Sequence, residues 1–413
     1  MPLRWSYGWN IVACAVAYQA LCVGMLLSGT AVLVVPWASE FEASRGEVLL
    51  IPLFWQIGFS LGAPFLGRLF DRVSMRRLVL LGLALFAAGL LLASRAHSIF
   101  ELIVVYGSLL CAGSLLAGTV SAQALVAKWF LKRRGLAFGV AALGVSLGGA
   151  LVPPVLTFLI AHYGWRGSML WIAAATVLVM MPIAALVLAV EPPKEEAKST
   201  ADLSRAGNQS AQSTSPPIPI LRSRVFWIPS LCIAVLGMCS VGLQLNLLAH
   251  ALDLQFSSAQ AAYLLSVSAI AAGAGKLLTG FLADHMDDRK IYWSAATILV
   301  VAMIFLLASS SYAALMAAAL FSGLASGSIL PLLSTTLVAR FGAANFGKAI
   351  GLAQLPMSLA ALGPQIAGRV YDQTGSYSGA FGTFVVAIIF AMLLMLTAGP
   401  TGSNRSAIRP ATV

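Results

Sequence analysis

The chain has 413 residues, of which 60% are hydrophobic and 9% charged, with a formal net charge of +11. Soluble domains carry about 25% charged residues, so a single aqueous core cannot hide this composition. The cations sit in short connectors between apolar blocks about 20 to 28 residues long, enough to cross roughly 30 Å of hydrocarbon, which points to membrane topology and away from a nucleic-acid partner.

In chain order, apolar blocks at 9–35, 47–69, 77–94, 99–127, 135–161 and 168–190 give six spans. The first is too long for a signal-peptide core and reads as an uncleaved span. Residues 191–223, rich in Ser, Pro, Glu and Lys, cannot bury apolar surface and read as a flexible cytoplasmic linker. Blocks at 225–249, 258–283, 291–309, 312–339, 346–370 and 377–398 give six more. The expectation is an all-α membrane protein of twelve transmembrane helices in two pseudo-symmetric six-helix bundles, 1–190 and 224–400, followed by a tail, 401–413.

Of the 25 Lys and Arg, twenty fall at Arg4, in the connectors after even-numbered spans or in the tail; Arg45, Arg95, Arg166 and Arg369 fall elsewhere, and Lys276 lies inside a span. This bias predicts a multi-pass protein of the cell membrane with both termini cytoplasmic. The halves also repeat: Gly67, Leu69 and Asp71 recur as Gly280, Leu282 and Asp284, and Gly135 and Gly139 as Gly347 and Gly351. Two nearly equal offsets favour an internal duplication of the kind transporters use.

The five cysteines all lie in apolar blocks without CxxC spacing and read as small packing residues. The four histidines lack ligand spacing, so no metal or cofactor is expected. The run GAGKLL has Ile270 where a phosphate loop needs glycine and Leu277 where it needs Ser or Thr, and nothing forms a catalytic constellation. An enzyme is not expected.

Lys276 is the only charged residue from Leu254 to Ala283. Eight residues before Asp284, it lies about 12 Å inside the span at ~1.5 Å per residue. A snorkelling stem is one reading. The other is an ammonium facing the cavity between the halves, retained at a cost of about 2.5 to 3.5 kcal/mol because an anion neutralises it. All 14 acids lie in connectors or near span ends, so a fixed positive charge without an acidic partner favours a small anionic cargo. Gln19, Thr119, Gln123, Gln244 and Asn246, together with Ser28 and Gln354, are polar residues within spans that would line the same cavity or bond neighbouring helices.

The stretch GRLFDRVSMRR, with Gly67, Asp71 and Arg72, resembles the cytoplasmic signature of the major facilitator superfamily, and GFLADHMDDRK, containing Asp284, is its half-copy. The resemblance implies that Asp71 packs against helix ends and basic residues of the next connector, with Arg133 and Arg134 as candidates, and holds one gate shut. Trp129, Phe130, Arg133, Arg134, Ala137, Gly139 and Ala141 fit a pattern of the monocarboxylate transporters. Ser6, Tyr7, Gly8 and Trp9 fit that family's opening motif, with Arg4 and Trp5 departing from it. LLAHALDLQFSSAQAAYLLS and YDQTGSY are similar to the bacterial monocarboxylate and oxalate/formate branch.

The resemblance implies a secondary transporter of a monocarboxylate such as a lactate- or pyruvate-like acid, working by alternating access as symporter or antiporter. It places Lys276 where the family carries a carboxylate-binding arginine. Ala272 and Gly29 stand where animal members carry an acid and a lysine tied to proton coupling, so either a proton or a counter-anion is the expected partner. The alternative is a multisubstrate drug-efflux carrier of the same superfamily, which would be indifferent to Lys276.

Overall fold

The computed structural model describes residues 7–130, 134–190, 223–283 and 285–397, without the side chains at 64, 67, 68, 71, 127, 134–136, 342–348 and 351. No strand occurs among them. Ten helical stretches are long and apolar enough to cross a membrane. In chain order they include α1 (Gly8–Glu40), α2 (Leu50–Arg72, entered by the short helix Arg45–Val48), α3 (Met75–Ala93) and α4 (Ile99–Val126). Next comes Ala137–Val187, then α7 (Arg224–Asp253), α8 (Ser258–Ala283), α9 (Asp288–Ala308), α10 (Tyr312–Phe341) and α12 (Ser378–Thr397).

Two further crossings complete the twelve that the apolar blocks predict. The stretch Ala137–Val187 is 51 residues long and breaks at Gly164 (φ +67°), a left-handed conformation natural only to glycine, which divides it into α5 (134–163) and α6 (165–187). α11 (342–374) begins inside the helical stretch Tyr312–Met357, passes a 3-10 turn at Ser358–Ala361 and resumes as Leu362–Thr374. A Cβ on Gly237 of α7 would lie 4.0 Å from Ile329 and 3.6 Å from Met357. The chain therefore doubles back between those two residues, and α10 and α11 are antiparallel.

Helix starts follow their capping residues. Ser44 and Glu47 form a capping box (Ser44 N to Glu47 Oε2 2.9 Å, Glu47 N to Ser44 Oγ 3.2 Å). Ser98, Asp287 and Ser311 each accept a backbone N–H in the first turns of α4, α9 and α10. Three π turns interrupt the N-terminal half: Met25–Gly29 in α1, Tyr106–Leu110 in α4 and Thr176–Met180 in α6. Hydroxyls donate to carbonyls at each, with Thr30 to Leu26 O at 2.7 Å, Ser108 to Val104 O at 2.5 Å and Thr176 to Ile172 O at 2.8 Å.

The glycines of α5 divide by neighbour. A Cβ on Gly144 would meet Val16 O at 2.9 Å, and one on Gly148 would meet Ala20 Cα at 2.8 Å and, closer still, Ala20 O, so α1 and α5 touch backbone to backbone. Gly148→Ala is expected to destabilise the purified protein by about 1–3 kcal/mol through overpacking, read as a lowered thermal unfolding midpoint in detergent. An unchanged midpoint would show that this contact yields freely. The five cysteines are free and buried, as their placement in apolar blocks predicts.

Candidate functional site

The halves meet along α5 and α8. On this seam Ser266 Oγ donates to Ala150 O at 2.6 Å, Gly149 faces Ala269 and Ser28, and Gly273 faces Ser146 and Leu143. One turn further along, the Lys276 ammonium crosses the seam and donates to Ser146 Oγ at 3.1 Å and to Ala142 O at 3.4 Å. It is partly buried, turned towards the opposite half, and no carboxylate pairs with it among the described residues.

The seam parts just beyond this point. Gly280 is four residues past Lys276 on the same stripe of α8, and Gly139 is three before Ala142 on the facing stripe of α5. Among the described residues, a Cβ at either would have nothing within 4 Å. The faces of the molecule therefore differ. We call odd the face bearing connectors that follow odd-numbered spans, and even the opposite face; the α5–α8 seam opens towards the even face.

The odd face is locked instead. Arg45, at the entry to α2, donates through its guanidinium to both oxygens of Asp253 in α7 (2.6 and 2.5 Å) and to the Tyr377 hydroxyl (2.8 Å). Its guanidinium carbon lies 3.8 Å from the Tyr371 ring centroid. The backbone N–H groups of Arg45 and Gly46 donate to Asp372, both at 2.9 Å, and Gln365 Nε2 donates to Gly46 O at 2.8 Å. Every one of these contacts joins the N-terminal half to the C-terminal half.

The remaining expected residues scatter. Gln19 is buried and donates to Ala141 O at 3.0 Å, a bond inside the N-terminal half, while its Oε1 has no described partner. Thr119 is half-buried and Gln123 exposed on one face of α4. Gln244 is half-buried with Nε2 buried and unpartnered; Asn246 is fully buried and donates to Gly242 O at 2.9 Å. None of these bonds Lys276. Ser28 is half-buried and Gln354 exposed.

Of the expected even-face gate, Gly67, Asp71 and Arg72 close α2 and Arg134 opens the helix of α5, with Arg72 exposed. Arg133 and Asp284 lie outside the described residues, as does almost all of the linker expected at 191–223 and all of the tail expected at 401–413. A contact the sequence did not suggest is that of Lys128, whose Nζ donates to Phe70 O at 2.8 Å. A cation there meets the negative end of α2. In the C-terminal half, Asp288 and Arg340 form a buried pair at 3.1 Å joining α9 to α10.

The family model of the Major Facilitator Superfamily matches residues 16–252 and again 235–411. The chain belongs to the major facilitator superfamily. Monocarboxylate transporter 13 of Bos taurus is 29% identical to this facilitator over 394 residues, 94% of this chain and 88% of the relative. Monocarboxylate transporter 11 of Mus musculus is 29% identical over 396 residues, covering 92% and 85%. Monocarboxylate transporter 2 of Rattus norvegicus is 27% identical over 355 residues, covering 82% and 72%. A crystal structure of a bacterial homolog to the human lysosomal transporter Spinster, inward-facing and unoccupied, superposes with a TM-score of 0.67 over 95% of both chains at 16% identity, which establishes the fold. The facilitator is a multi-pass membrane transporter and not an enzyme.

Proposed function

We propose that this transporter carries a small organic anion, a monocarboxylate, by alternating access, and that Lys276 neutralises the carboxylate. The supporting observation is the Lys276 ammonium, held at the junction of the halves with a hydroxyl and a carbonyl for company and no described counter-ion. Buried charges are retained where something pairs with them, and a transported anion would be that partner. A lysine binds as a point charge and not as a two-pronged clamp, so it selects for charge more than for shape. The names of the relatives agree with this cargo.

The charge bias of the connectors makes the even face cytoplasmic, so the pose closed at Arg45 and parted beyond Lys276 is the inward-open one. Asp71, with Arg72, Arg133, Arg134 and the second-half Asp284, would form the gate that closes that face in the opposite pose. Thr119 and Gln123 of α4 and Gln244 of α7 are polar groups available to line the path. Gln19 and Asn246 each give their amide N–H to a helix carbonyl and keep a buried amide oxygen without a described partner.

The test is initial uptake of radiolabelled formate, acetate, lactate and pyruvate into proteoliposomes, with and without a pH gradient and with and without internal anion. Saturable uptake of at least one is expected. Stimulation by inward acid would identify proton coupling, and stimulation by internal anion would identify exchange. No uptake of any acid, with broad transport of amphipathic cations, would replace the reading with drug efflux.

A further inference from the structure

The ammonium of Lys276 leans on two acceptors one helical turn apart, Ser146 Oγ and Ala142 O. Hydroxyls within helices commonly donate to the carbonyl four residues back. This chain does so repeatedly: Ser168 to Gly164 O at 2.7 Å, Ser328 to Leu324 O at 3.1 Å, Thr335 to Pro331 O at 3.0 Å. For Ser146 that carbonyl is Ala142 O, the one the ammonium occupies. Among the described residues Ser146 accepts from Lys276 and donates to nothing, although it is 8% exposed.

The donor count follows. An ammonium has three N–H groups and a hydroxyl one O–H. With two N–H groups directed at α5, Lys276 keeps one, and Ser146 keeps its single proton, on atoms 3.1 Å apart. Two neighbouring donors suit the two oxygens of one carboxylate. They belong to opposite halves, and Gly280, one turn past Lys276, and Gly139, two turns before Ser146, leave open space among the described residues for the remainder of a small molecule.

We propose, resting on the reading of the cargo as a carboxylate, that Ser146 is a substrate-contacting residue: one carboxylate oxygen accepts from Lys276 Nζ and the other from Ser146 Oγ. The anion then bridges the halves at the point where the seam parts, and it ties them in place of the direct lysine–serine contact. The site takes a single carboxylate on a short, uncharged body.

The test compares wild type with Ser146→Ala, Ser146→Cys, Ser146→Thr and Lys276→Ala in proteoliposomes, using the same four radiolabelled acids. Hydrogen bonds to a charged group are worth enough that Ser146→Ala should raise KM about tenfold or more while maximal rate changes little. Ser146→Thr, which restores the hydroxyl, should return KM to near the wild-type value, and Ser146→Cys, a weak donor of similar shape, should fall between. A packing role predicts a changed maximal rate or lowered stability with KM unmoved. Wild-type KM in Ser146→Ala, with uptake abolished in Lys276→Ala, would overturn the role of Ser146 and leave the carboxylate reading standing. Normal uptake in Lys276→Ala would overturn both.

Discussion

Lys276→Ala should insert into the membrane as well as wild type and lose uptake of short monocarboxylates by at least about a hundredfold. Removing one partner of a buried charge contact costs about 3–5 kcal/mol, which is more than a hundredfold in affinity. Insertion should not suffer, because an ammonium in a span opposes it by about 2.5 kcal/mol or more and alanine does not. Poor insertion therefore cannot account for the loss, and immunodetection in purified membranes checks this directly. Lys276→Arg keeps the charge but replaces a point donor with a planar fork facing Ser146 and Ala142, so partial uptake with altered preference among the acids is expected. Retained uptake in Lys276→Ala would remove the anion assignment and leave only a transporter of the superfamily.

The second large effect is expected on the odd face. Arg45 reaches Asp253, Tyr377, Tyr371 and, through its backbone, Asp372, all in the other half. The side chains of Arg45 and Asp253 are 13% and 28% exposed, so their pairing is worth less than a fully buried bridge but more than a surface one. Taking about 2 kcal/mol as its worth, Arg45→Ala shifts the balance between poses by ~30-fold away from the odd-closed one. Spin labels at the exposed positions Arg95 and Ala259, on opposite halves of that face, should report a longer distance population in the variant. An unchanged distance distribution would mean that the Gly46–Gln365 and backbone–Asp372 contacts close that face without the guanidinium.

The sequence makes some of this legible and hides the rest for physical reasons. Span number and the halves are readable because each crossing needs its own apolar run and the solvent on both sides marks its ends with charge. The isolation of Lys276 is readable because one charge in the thirty residues 254–283 needs no partner to be noticed. The partnership with Ser146 is not, since helical serines are common in this chain and only the seam brings residues 130 apart in sequence together. The Arg45 lock fails for the same reason, joining residues separated by 208 and 332 positions. Gln19 shows how polarity within a span leaves two readings open, a cavity or a helix contact: its Nε2 donates to a neighbouring carbonyl while its Oε1 has no described partner. The reversal between α10 and α11 is marked in the sequence by Arg340, Gly342 and the residues after them, although helical turns continue through it from Tyr312 to Met357.

The three π turns set a limit on reasoning from one half to the other. Each adds a residue to its turn and so rotates everything beyond it by about 100° relative to an uninterrupted α-helix. Among the described residues the C-terminal half has none. A helical wheel drawn straight through α1, α4 or α6 thus assigns the wrong azimuth past residues 29, 110 and 180, and superposing the repeats by sequence offset carries that phase error with it. Surveys that choose pore-lining positions in the first repeat by analogy with the second will sample flanks that point elsewhere.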